Sequence, residues 1–256
     1  MDKKLLSGKK ALIVGVANEN SIAYGCAQML KTAGAEVGIT YLNEKSKPFV
    51  DALAQKLEPT IYERCDVTID NDLDNLFDKI KQKWQSVDII IHSIAFSPKE
   101  DLHGSIVDCS KAGFLLAMDI SCHSFLRMAK LAKPLMPKGG ALFAMSYYGA
   151  VKVVEHYNLM GPVKAALESC VRYMAVDLGP QKIRVIALSP GPVKTRAASG
   201  LEDFDKLMQR AEQESPMHTL VDIYDVGAMV AYLSSDYAKN ITGDTIYIDA
   251  GFHLLG

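Results

Sequence analysis

The sequence predicts an α/β fold in which a doubly wound parallel sheet of about seven strands is covered by helices on both faces. Two observations favour it: short apolar runs of strand length alternate with segments of helical period, and the strand candidates are apolar at nearly every position. In addition, the 256 residues contain no linker, repeat or low-complexity stretch. We therefore expect a single dinucleotide-binding and catalytic domain of the Rossmann type over residues 1–256.

The alternation of strands and helices can be followed along the whole chain. The strand candidates are Lys10–Gly15, Glu36–Tyr41, Thr60–Cys65, Val87–His92, Ala141–Met145, Ile183–Leu188 and Thr245–Asp249. The helical segments are Ser21–Ala33, roughly Ser46–Leu57, Asn71–Trp84, a stretch near Cys109–Leu135, a segment from Tyr157 to about Leu178, and Arg196–Met217. A helix between two consecutive strands of one sheet connects them in parallel.

The composition argues against several classes of function. A net charge of −2 gives no reason to expect a nucleic acid or an anionic membrane as partner. No apolar stretch approaches the length that crosses a bilayer, and we see no secretory signal peptide. The cysteines are scattered without CxxC spacing, which predicts small buried side chains, no metal site and a reducing, cytoplasmic location; they are Cys26, Cys65, Cys109, Cys122 and Cys170.

Two tyrosines and a lysine stand out after the fifth strand candidate. Lys164 follows Tyr157 by seven residues, and Tyr147 lies ten residues before Tyr157. On one continuous helix, seven residues make about two turns and place two side chains within about 20° of each other. A phenol that shares a proton beside a cation suits the reduction of a carbonyl-conjugated substrate. An isolated pair of this kind is more often ordinary packing and a surface lysine, so the rest of the chain decides.

Ligands of doubly wound sheets bind at the carboxyl ends of the strands, near the point where strand order reverses. After the first strand, Gly15 opens a loop that reaches Ser21 and Ile22 at the start of a helix. A turn glycine before a helix N-terminus is suited to a pyrophosphate, with Ser21 as the expected N-cap. The loop lacks a regular GxGxxG pattern, so this signal is weak by itself.

The end of the second strand indicates which cofactor is preferred. The regular fingerprint has an acidic residue there for the adenosine ribose, or an arginine for a 2′-phosphate. Leu42 occupies that position and supplies neither group. We therefore predict NADH rather than NADPH, while Lys45 and Lys47 lie close by in the sequence.

Two further strand ends supply cofactor candidates. Asp66 and Val67 follow the third strand at the level of an adenine, and Asp66 is equally well explained as a helix cap. Small residues follow the fourth strand, beginning at Ser93 and Ile94, and let a cofactor approach the backbone closely.

The segment after the sixth strand has features of a lid. Thr195 ends a turn-rich stretch of prolines and glycine and can donate to a carboxamide. The charged helical segment over about 196–217 then follows. A helix after such a loop is typical of a lid, and an ordinary surface helix explains it equally well.

Several short segments are together far more specific than any one of them. They are GVANENSIAYG, CDVT, HSIAFSP, DISCHSF, SYYGA, YNLMGPVKAALE, VRYMA, GPVKTRAASG and GDTIYIDAGF, and they span about Lys9–Phe252. Through them the chain resembles the short-chain dehydrogenases/reductases, and more narrowly the bacterial enoyl-acyl-carrier-protein reductases of type II fatty-acid synthesis. The broad family has Tyr-x3-Lys and a serine thirteen residues before the tyrosine. Those positions hold Gly161 and Ala144 here, and the Tyr-x6-Lys spacing with Tyr147 matches the enoyl reductase variant.

The resemblance implies NADH-dependent reduction of a trans-2-enoyl thioester linked to acyl carrier protein, by hydride addition to C3. It implies that Tyr157 hydrogen-bonds the thioester oxygen, that Lys164 holds the nicotinamide ribose, and that Tyr147 lines the acyl pocket and assists the proton step. It also implies a homotetramer. Lys206 and Arg210 are candidates for contact with an acidic carrier protein, or equally for a solvated helix face.

The site residues carried over by motif form two sets. The cofactor set is Gly15, Ser21, Ile22, Leu42, Asp66, Val67, Ser93, Ile94, Lys164, Val193, Lys194, Thr195, Arg196 and Ala197. The substrate set is Ala95, Phe96, Ser97, Leu102, Tyr147, Tyr157, Met160, Ala197 and Phe204. A lid from about Ala197 to Phe204 is expected to close over the acyl chain.

Pro162 leaves the geometry of the catalytic segment open. A proline inside a helix removes a hydrogen bond and disfavours helical geometry at the preceding residue, here Gly161. If the helix begins near Pro162, the proline lies harmlessly in its first turn. If the helix begins at Tyr157, we expect a kink, and the argument that Tyr157 and Lys164 share a face weakens.

Two other functions remain open from the sequence. A 3-oxoacyl or other carbonyl reductase of the same fold is disfavoured by Ala144 and Gly161. A catalytically silent cofactor-binding protein, such as a redox sensor, is disfavoured because both tyrosines and the lysine are present. Turnover with enoyl and keto thioesters separates these hypotheses.

Overall fold

The computed structural model describes residues 4–195 and 203–255 of the chain. Its strands form one sheet in which every neighbouring pair is parallel. The strands are β1 Lys10–Val14, β2 Glu36–Tyr41, β3 Ile61–Arg64, β4 Ile89–His92, β5 Gly140–Met145, β6 Ile183–Pro190 and β7 Thr245–Ile248. Their spatial order is β3-β2-β1-β4-β5-β6-β7, so the strand order reverses between β1 and β4. The predicted doubly wound parallel sheet is therefore confirmed.

Helices connect the strands and cover both faces of the sheet. The α-helices in the described part of the chain are α1 Ile22–Thr32, α2 Lys47–Leu57, α3 Asp72–Trp84, α4 Lys99–His103, α5 Lys111–Met118, α6 Ser124–Ala132, α7 Met160–Leu178, α8 Phe204–Glu214 and α9 Ile223–Leu233. Alternate strand residues point to opposite faces, and two separate apolar cores result. One core packs α3, α6 and α7 against residues such as Leu12 and Leu142. The other packs α1, α2 and α9 against residues such as Ile13 and Phe143.

Two helical regions differ from the sequence-based prediction. The stretch near Cys109–Leu135 is not one helix, because a π-helical segment, Asp119–His123, separates α5 from α6. The wider turn fits a packing requirement: the Ser121 hydroxyl accepts from the N–H of Phe96 at 2.9 Å and donates to its carbonyl at 3.1 Å. The sequence analysis did not assign α9, although Asp222 and Asp225 form a capping box at its start.

Two glycines allow α1 and α9 to touch backbone to backbone. A Cβ atom on Gly25 would lie 2.2 Å from the carbonyl oxygen of Ile223 in α9. A Cβ atom on Gly227 would lie 2.5 Å from the carbonyl oxygen of Gly25. Neither obstacle is a flexible side chain, so a larger residue at either position forces the helices apart. This contact fixes where α1 lies, and with it the N-terminus that faces the carboxyl ends of the strands.

We expect Gly25→Ala to lower the free energy of unfolding by about 3 kcal/mol, because the added methyl group overpacks a contact between two backbones. Urea denaturation followed by circular dichroism measures the change. Thr32→Ala is the control, since it introduces alanine at an exposed position of the same helix. Its effect is expected to stay within about 0.5 kcal/mol. A Gly25→Ala variant as stable as the wild type would contradict the proposed packing.

Candidate active site

The carboxyl ends of β1 and β4 meet at the point where the strand order reverses. Gly15 has a φ of +109°, and a Cβ atom on it would lie 2.2 Å from the carbonyl oxygen of Ser93. The Ser93 N–H donates to the Val14 carbonyl at 3.0 Å. Only glycine fits this close approach. The crevice that opens here is the position where doubly wound sheets bind ligands.

The start of α1 presents backbone N–H groups beside this crevice. Ser21 occupies the N-cap position, as predicted, but its side chain does not cap the helix. Its hydroxyl instead donates to the Asn18 carbonyl at 2.7 Å and holds the preceding loop. The first N–H groups of α1, beginning at Ile22, therefore have no side-chain cap. An uncapped helix N-terminus is suited to an anion.

The end of β2 offers no group that selects a 2′-phosphate. Leu42 is half-exposed there, at 50%. The Lys47 ammonium is 3.0 Å from a carboxylate oxygen of Asp51 and lies over the rings of Tyr41 and Tyr62. One of the two lysines near Leu42 in the sequence is therefore already engaged by other residues.

Asp66 and Val67 lie after β3, and Asp66 does not cap a helix. Its carboxylate accepts from the N–H and the hydroxyl of Thr68, at 3.0 and 2.7 Å. The N-cap of α3 is Asn71 instead. The alternative that Asp66 is only a helix cap is thus wrong. Val67 is buried, and its carbonyl accepts from the Arg127 guanidinium at 2.5 Å.

Tyr157 lies in the turn before α7 and not on the helix. The helix begins at Met160, and the Tyr157 carbonyl accepts from the Met160 N–H at 2.9 Å. The predicted helix from Tyr157 is therefore wrong at its start, and helical phase does not relate Tyr157 to Lys164. Pro162 lies in the first turn of α7, which is the harmless arrangement.

The rings of Tyr147 and Tyr157 pack edge to face. Their centroids are 4.9 Å apart, with an angle of 65° between the ring planes. Burial raises the pKa of both phenols, so both stay protonated at physiological pH and act as hydrogen-bond donors. The Tyr147 hydroxyl oxygen is buried and has no partner among the described residues.

Lys164 is a buried cation on α7. Its side chain is almost inaccessible, and its ammonium donates to the Met145 carbonyl at 2.6 Å. Burial lowers its pKa to about 8, and the nearby Cys122 and Glu168 oppose that effect. The ammonium therefore loses its proton near pH 8. It can donate further hydrogen bonds beyond the one that it makes within the described part of the chain.

His92, at the end of β4, is a site residue that the sequence analysis missed. Its Nε2 lies 2.7 Å from the hydroxyl of Ser124, which itself donates to the Ile120 carbonyl at 2.7 Å. The hydroxyl proton is used, so Nε2 carries the imidazole proton and Nδ1 is an acceptor. Burial, and then the charge of Lys164, lower the pKa of His92 to about 3. The imidazole is therefore neutral.

Ser146 and Glu168 were also missed, although a sequence signal exists for both. Ser146 directly precedes Tyr147, and Glu168 follows Lys164 by four residues, which is one helical turn. The Ser146 hydroxyl donates to a Glu168 carboxylate oxygen at 2.5 Å, and both residues are buried. Spacing along α7 indicates that Glu168 shares the face of Lys164, whereas the pairing with Ser146 depends on tertiary structure.

The predicted substrate residues fall into an open set and a buried set. The open set follows β4: Ala95 and Phe96 are exposed, and Ser97 and Leu102 are half-buried. Met160 and Phe204 are buried at the starts of α7 and α8. A ring nitrogen of His156, next to Tyr157, lies 3.8 Å from a carboxylate oxygen of Asp203, so the start of α8 lies near the turn that carries Tyr157.

The segment after β6 is described only in part. Ile94 and Val193 are half-buried, Lys194 is exposed, and the Thr195 N–H donates to the Val193 carbonyl at 2.7 Å. Arg196 and Ala197, predicted for the cofactor and the acyl chain, lie outside the described residues, as does most of the predicted lid. Within residues 4–195 and 203–255, no three metal-ligating side chains come together, and no helix is long and apolar enough to cross a membrane.

Comparison with known proteins agrees with this geometry. A model of the enoyl-(acyl carrier protein) reductase family matches residues 15–253. The chain belongs to this family. The NADH-dependent enoyl-acyl-carrier-protein reductase of Aquifex aeolicus is 45% identical over 253 residues, which are 98% of this chain and 94% of that protein.

Solved structures of the enoyl-acyl-carrier-protein reductases superpose closely on this member of the family. The structure of the Anaplasma phagocytophilum reductase in complex with NAD has a TM-score of 0.94 and 46% identity, and the match covers 98% of this chain and 96% of that one. The Bacillus cereus reductase, with NADP+ and indole naphthyridinone, has a TM-score of 0.96 and 41% identity, with 99% of each chain covered.

We expect Ser124→Ala in this reductase to lower the free energy of unfolding by about 1–3 kcal/mol, because it leaves the buried Nε2–H of His92 without an acceptor. Ser105→Ala is the control: this serine is exposed, its side chain caps nothing, and its loss is expected to cost less than about 0.5 kcal/mol. Chemical denaturation measures both. Equal stability of the two variants would show that the His92–Ser124 contact contributes nothing.

Proposed function

We propose that this enzyme reduces trans-2-enoyl thioesters of acyl carrier protein with NADH, in the elongation cycle of type II fatty-acid biosynthesis. The observation that carries the proposal is the grouping of Tyr147, Tyr157 and Lys164. Tyr147 is half-buried after β5, Tyr157 is buried in the turn before α7, and Lys164 is buried near the start of α7. Family membership supplies the reaction class, and this group supplies the side chains that the reaction needs.

The residues at the carboxyl edge of the sheet fit a dinucleotide. The uncapped start of α1 suits a pyrophosphate, and the Gly15 crevice admits a ligand close to the backbone. Two buried hydroxyls without partners in the described structure, those of Tyr147 and Ser189, lie at the ends of β5 and β6 and suit a polar ligand. The cofactor is NADH: the residue directly after β2 is Leu42 and not an arginine, and Lys47 is paired with Asp51.

We assign the cofactor contacts to residues at the ends of successive strands. In the described part of the chain they are Gly15, Ser21, Ile22, Leu42, Asp66, Val67, Ser93, Ile94, Lys164, Val193, Lys194 and Thr195. Bound NADH supplies a hydride. Lys164 is the residue proposed to hold the nicotinamide ribose hydroxyls, because it is a buried donor with N–H groups left beyond its bond to Met145.

Tyr157 is proposed to stabilise negative charge on the thioester oxygen. In an enoyl thioester the hydride adds at C3, while the charge appears on the carbonyl oxygen several atoms away. A donor must therefore lie away from the carbon that is reduced. The raised pKa of Tyr157 keeps the phenol protonated, so it donates to this oxygen throughout the physiological range.

Tyr147 is proposed to line the acyl pocket and to assist the proton step. Its ring packs against Tyr157, and its buried hydroxyl has no partner in the described structure. A hydroxyl in this position can donate to the substrate or pass a proton to the carbon next to the thioester. Ala95, Phe96, Ser97, Leu102, Met160 and Phe204 are proposed to complete the acyl site.

The lid and the carrier protein involve the segment around α8. We propose that residues from about 196 to 217 cover the acyl chain, supported by the burial of Phe204 and by the contact of Asp203 with His156. Lys206 and Arg210 pair with Asp203 and Glu214, at 2.9 and 2.8 Å. Exposed pairs of this kind are weak, so both cations can still meet an acidic carrier protein.

We further propose a cytoplasmic homotetramer. The scattered cysteines suit a reducing compartment. Large apolar side chains are exposed on the neighbouring helices α5 and α7, where they suit contact with a second copy; they are Phe114, Leu115, Leu116, Tyr173 and Val176.

A steady-state assay that crosses two cofactors with two substrates tests the function. We expect NADH to reduce crotonyl thioester much faster than acetoacetyl thioester, because Ala144 and Gly161 replace the serine and lysine of the carbonyl reductases. We also expect a lower KM for NADH than for NADPH. Preferential turnover of the keto substrate would favour a carbonyl reductase, and NADH binding without any turnover would favour a silent cofactor-binding protein.

We expect Tyr157→Phe to lower kcat for the enoyl substrate by about 100-fold or more, because it removes one donor to the developing oxyanion. Tyr237→Phe is the matched control: it removes the same hydroxyl from a tyrosine that is 80% exposed just after α9, and it is expected to leave kcat unchanged. NADH affinity, measured by fluorescence, is expected to change little in either variant. A Tyr157→Phe enzyme with wild-type kcat would exclude the proposed role.

A further inference from the structure

A buried carboxylate lies one helical turn beyond Lys164. Glu168 is 6% exposed and Lys164 is 4% exposed, and a spacing of four residues places them on one face of α7. Charged groups are rarely buried without partners, since their loss of hydration costs free energy. Lys164 is proposed to hold the nicotinamide ribose, whereas Glu168 has no role in the proposed mechanism.

The two side chains hold consecutive residues at the end of β5. Lys164 donates to the carbonyl of Met145 at 2.6 Å, and Glu168 accepts from the hydroxyl of Ser146 at 2.5 Å. The next residue, Tyr147, packs its ring on Tyr157. The lysine and the carboxylate of α7 therefore both anchor the strand end that carries the first catalytic tyrosine.

Lys164 faces few other groups that change charge near neutral pH. His92 approaches from β4 and Cys122 from the π-helical segment. Burial lowers the pKa of His92 to about 3 and raises that of Cys122 to about 12, so both are neutral between about pH 6 and 9. Among the described residues, the Glu168 carboxylate is then the nearby group that favours the ammonium form of Lys164.

The surroundings of Glu168 come from three elements. Ser146 follows β5, Thr245 and Tyr247 belong to β7, and Arg172 lies one turn further along α7. Burial raises the pKa of Glu168, while the hydrogen bond from Ser146, the charges of Arg172 and Lys164, and the Thr245 hydroxyl oppose that effect. The charge of the Glu168 carboxylate also raises the pKa of the Tyr157 phenol.

We propose that Glu168 is a positioning residue of the reductase: its carboxylate keeps Lys164 in the ammonium form and, through Ser146, fixes the end of β5 beside the catalytic tyrosines. The proposal rests on the function proposed above, since it concerns the same site. The two effects of Glu168 can be tested separately. Glu168→Gln removes the negative charge near Lys164, and Ser146→Ala removes the hydrogen bond that holds the end of β5.

The charge is tested by NADH affinity as a function of pH, followed by fluorescence. Lys164 is protonated below its pKa of about 8, so wild-type affinity is expected to fall as the pH rises through that value. Without the neighbouring negative charge the pKa of Lys164 falls further, and Glu168→Gln is expected to move the midpoint down by about one pH unit. At pH 8 this corresponds to roughly fivefold weaker binding. Lys164→Met is expected to bind weakly at every pH.

The placement is tested by kcat. Ser146→Ala retains both the carboxylic and the amino side chain, so its midpoint is expected to stay closer to the wild-type value than that of Glu168→Gln, while kcat falls by about tenfold, because the end of β5 is no longer held. Glu168→Asp restores the charge and is expected to bring the midpoint back to the wild-type value. A role that is only structural would lower stability without moving the midpoint.

Each outcome decides the proposal. A Glu168→Gln midpoint equal to that of the wild type overturns it, and so does a shift that Glu168→Asp fails to reverse. If Glu168→Gln does not fold, Ser146→Ala decides: loss of kcat supports the anchor, and wild-type kcat overturns it. Wild-type protein that binds NADH without reducing crotonyl thioester would contradict the proposed function. The pH dependence of NADH affinity would still decide whether Glu168 acts on Lys164.

Discussion

The hydrogen bond from the Lys164 ammonium to the Met145 carbonyl is the interaction on which the site depends. A buried ammonium is costly unless acceptors replace its water, and this carbonyl lies at the very end of β5, 2.6 Å away. The bond fixes the first turns of α7 against the sheet. The turn that carries Tyr157 leads directly into that helix, so its position follows from the same contact. One buried polar group thus ties the start of α7, and with it the turn that carries Tyr157, to the end of β5.

Tyr157 lies outside the helix that carries Lys164, so the spacing of seven residues between them does not have to follow the helical repeat. On a helix, side-chain direction is set by the residue count. In this protein the tyrosine belongs to a turn and the lysine to the helix that follows, so the phenol can be placed by its contact with Tyr147 instead of by helical phase. Reduction of an enoyl thioester needs a donor some distance from the carbon that receives hydride. A tyrosine on a turn before the helix meets that need.

The fold was predictable because hydrophobic periodicity is a local property. The predicted strands begin and end within two residues of the observed strands. The turn that carries Tyr157 was not predicted, because His156 and Asn158 adopt positive φ values of 61° and 29° there, a conformation that these residue types tolerate but do not require. The break between α5 and α6 and the pairing of Ser146 with Glu168 depend on partners distant in sequence. Composition and residue spacing do not indicate which residues distant in sequence will be in contact.

The glycine contact between α1 and α9 has a consequence for recombining this enzyme with its relatives. Gly25 and Gly227 are far apart in the chain, yet the Ile223 backbone of α9 occupies the space that a side chain at position 25 would need, and the Gly25 backbone of α1 occupies the space for one at position 227. A hybrid with the C-terminal third of a homologous protein therefore keeps this contact only when the parent that supplies α1 has glycine at position 25 and the parent that supplies α9 has glycine at position 227. Crossover points chosen from surface loops alone would overlook this pairing, and hybrids lacking it would lose the alignment of the first helix with the nucleotide crevice.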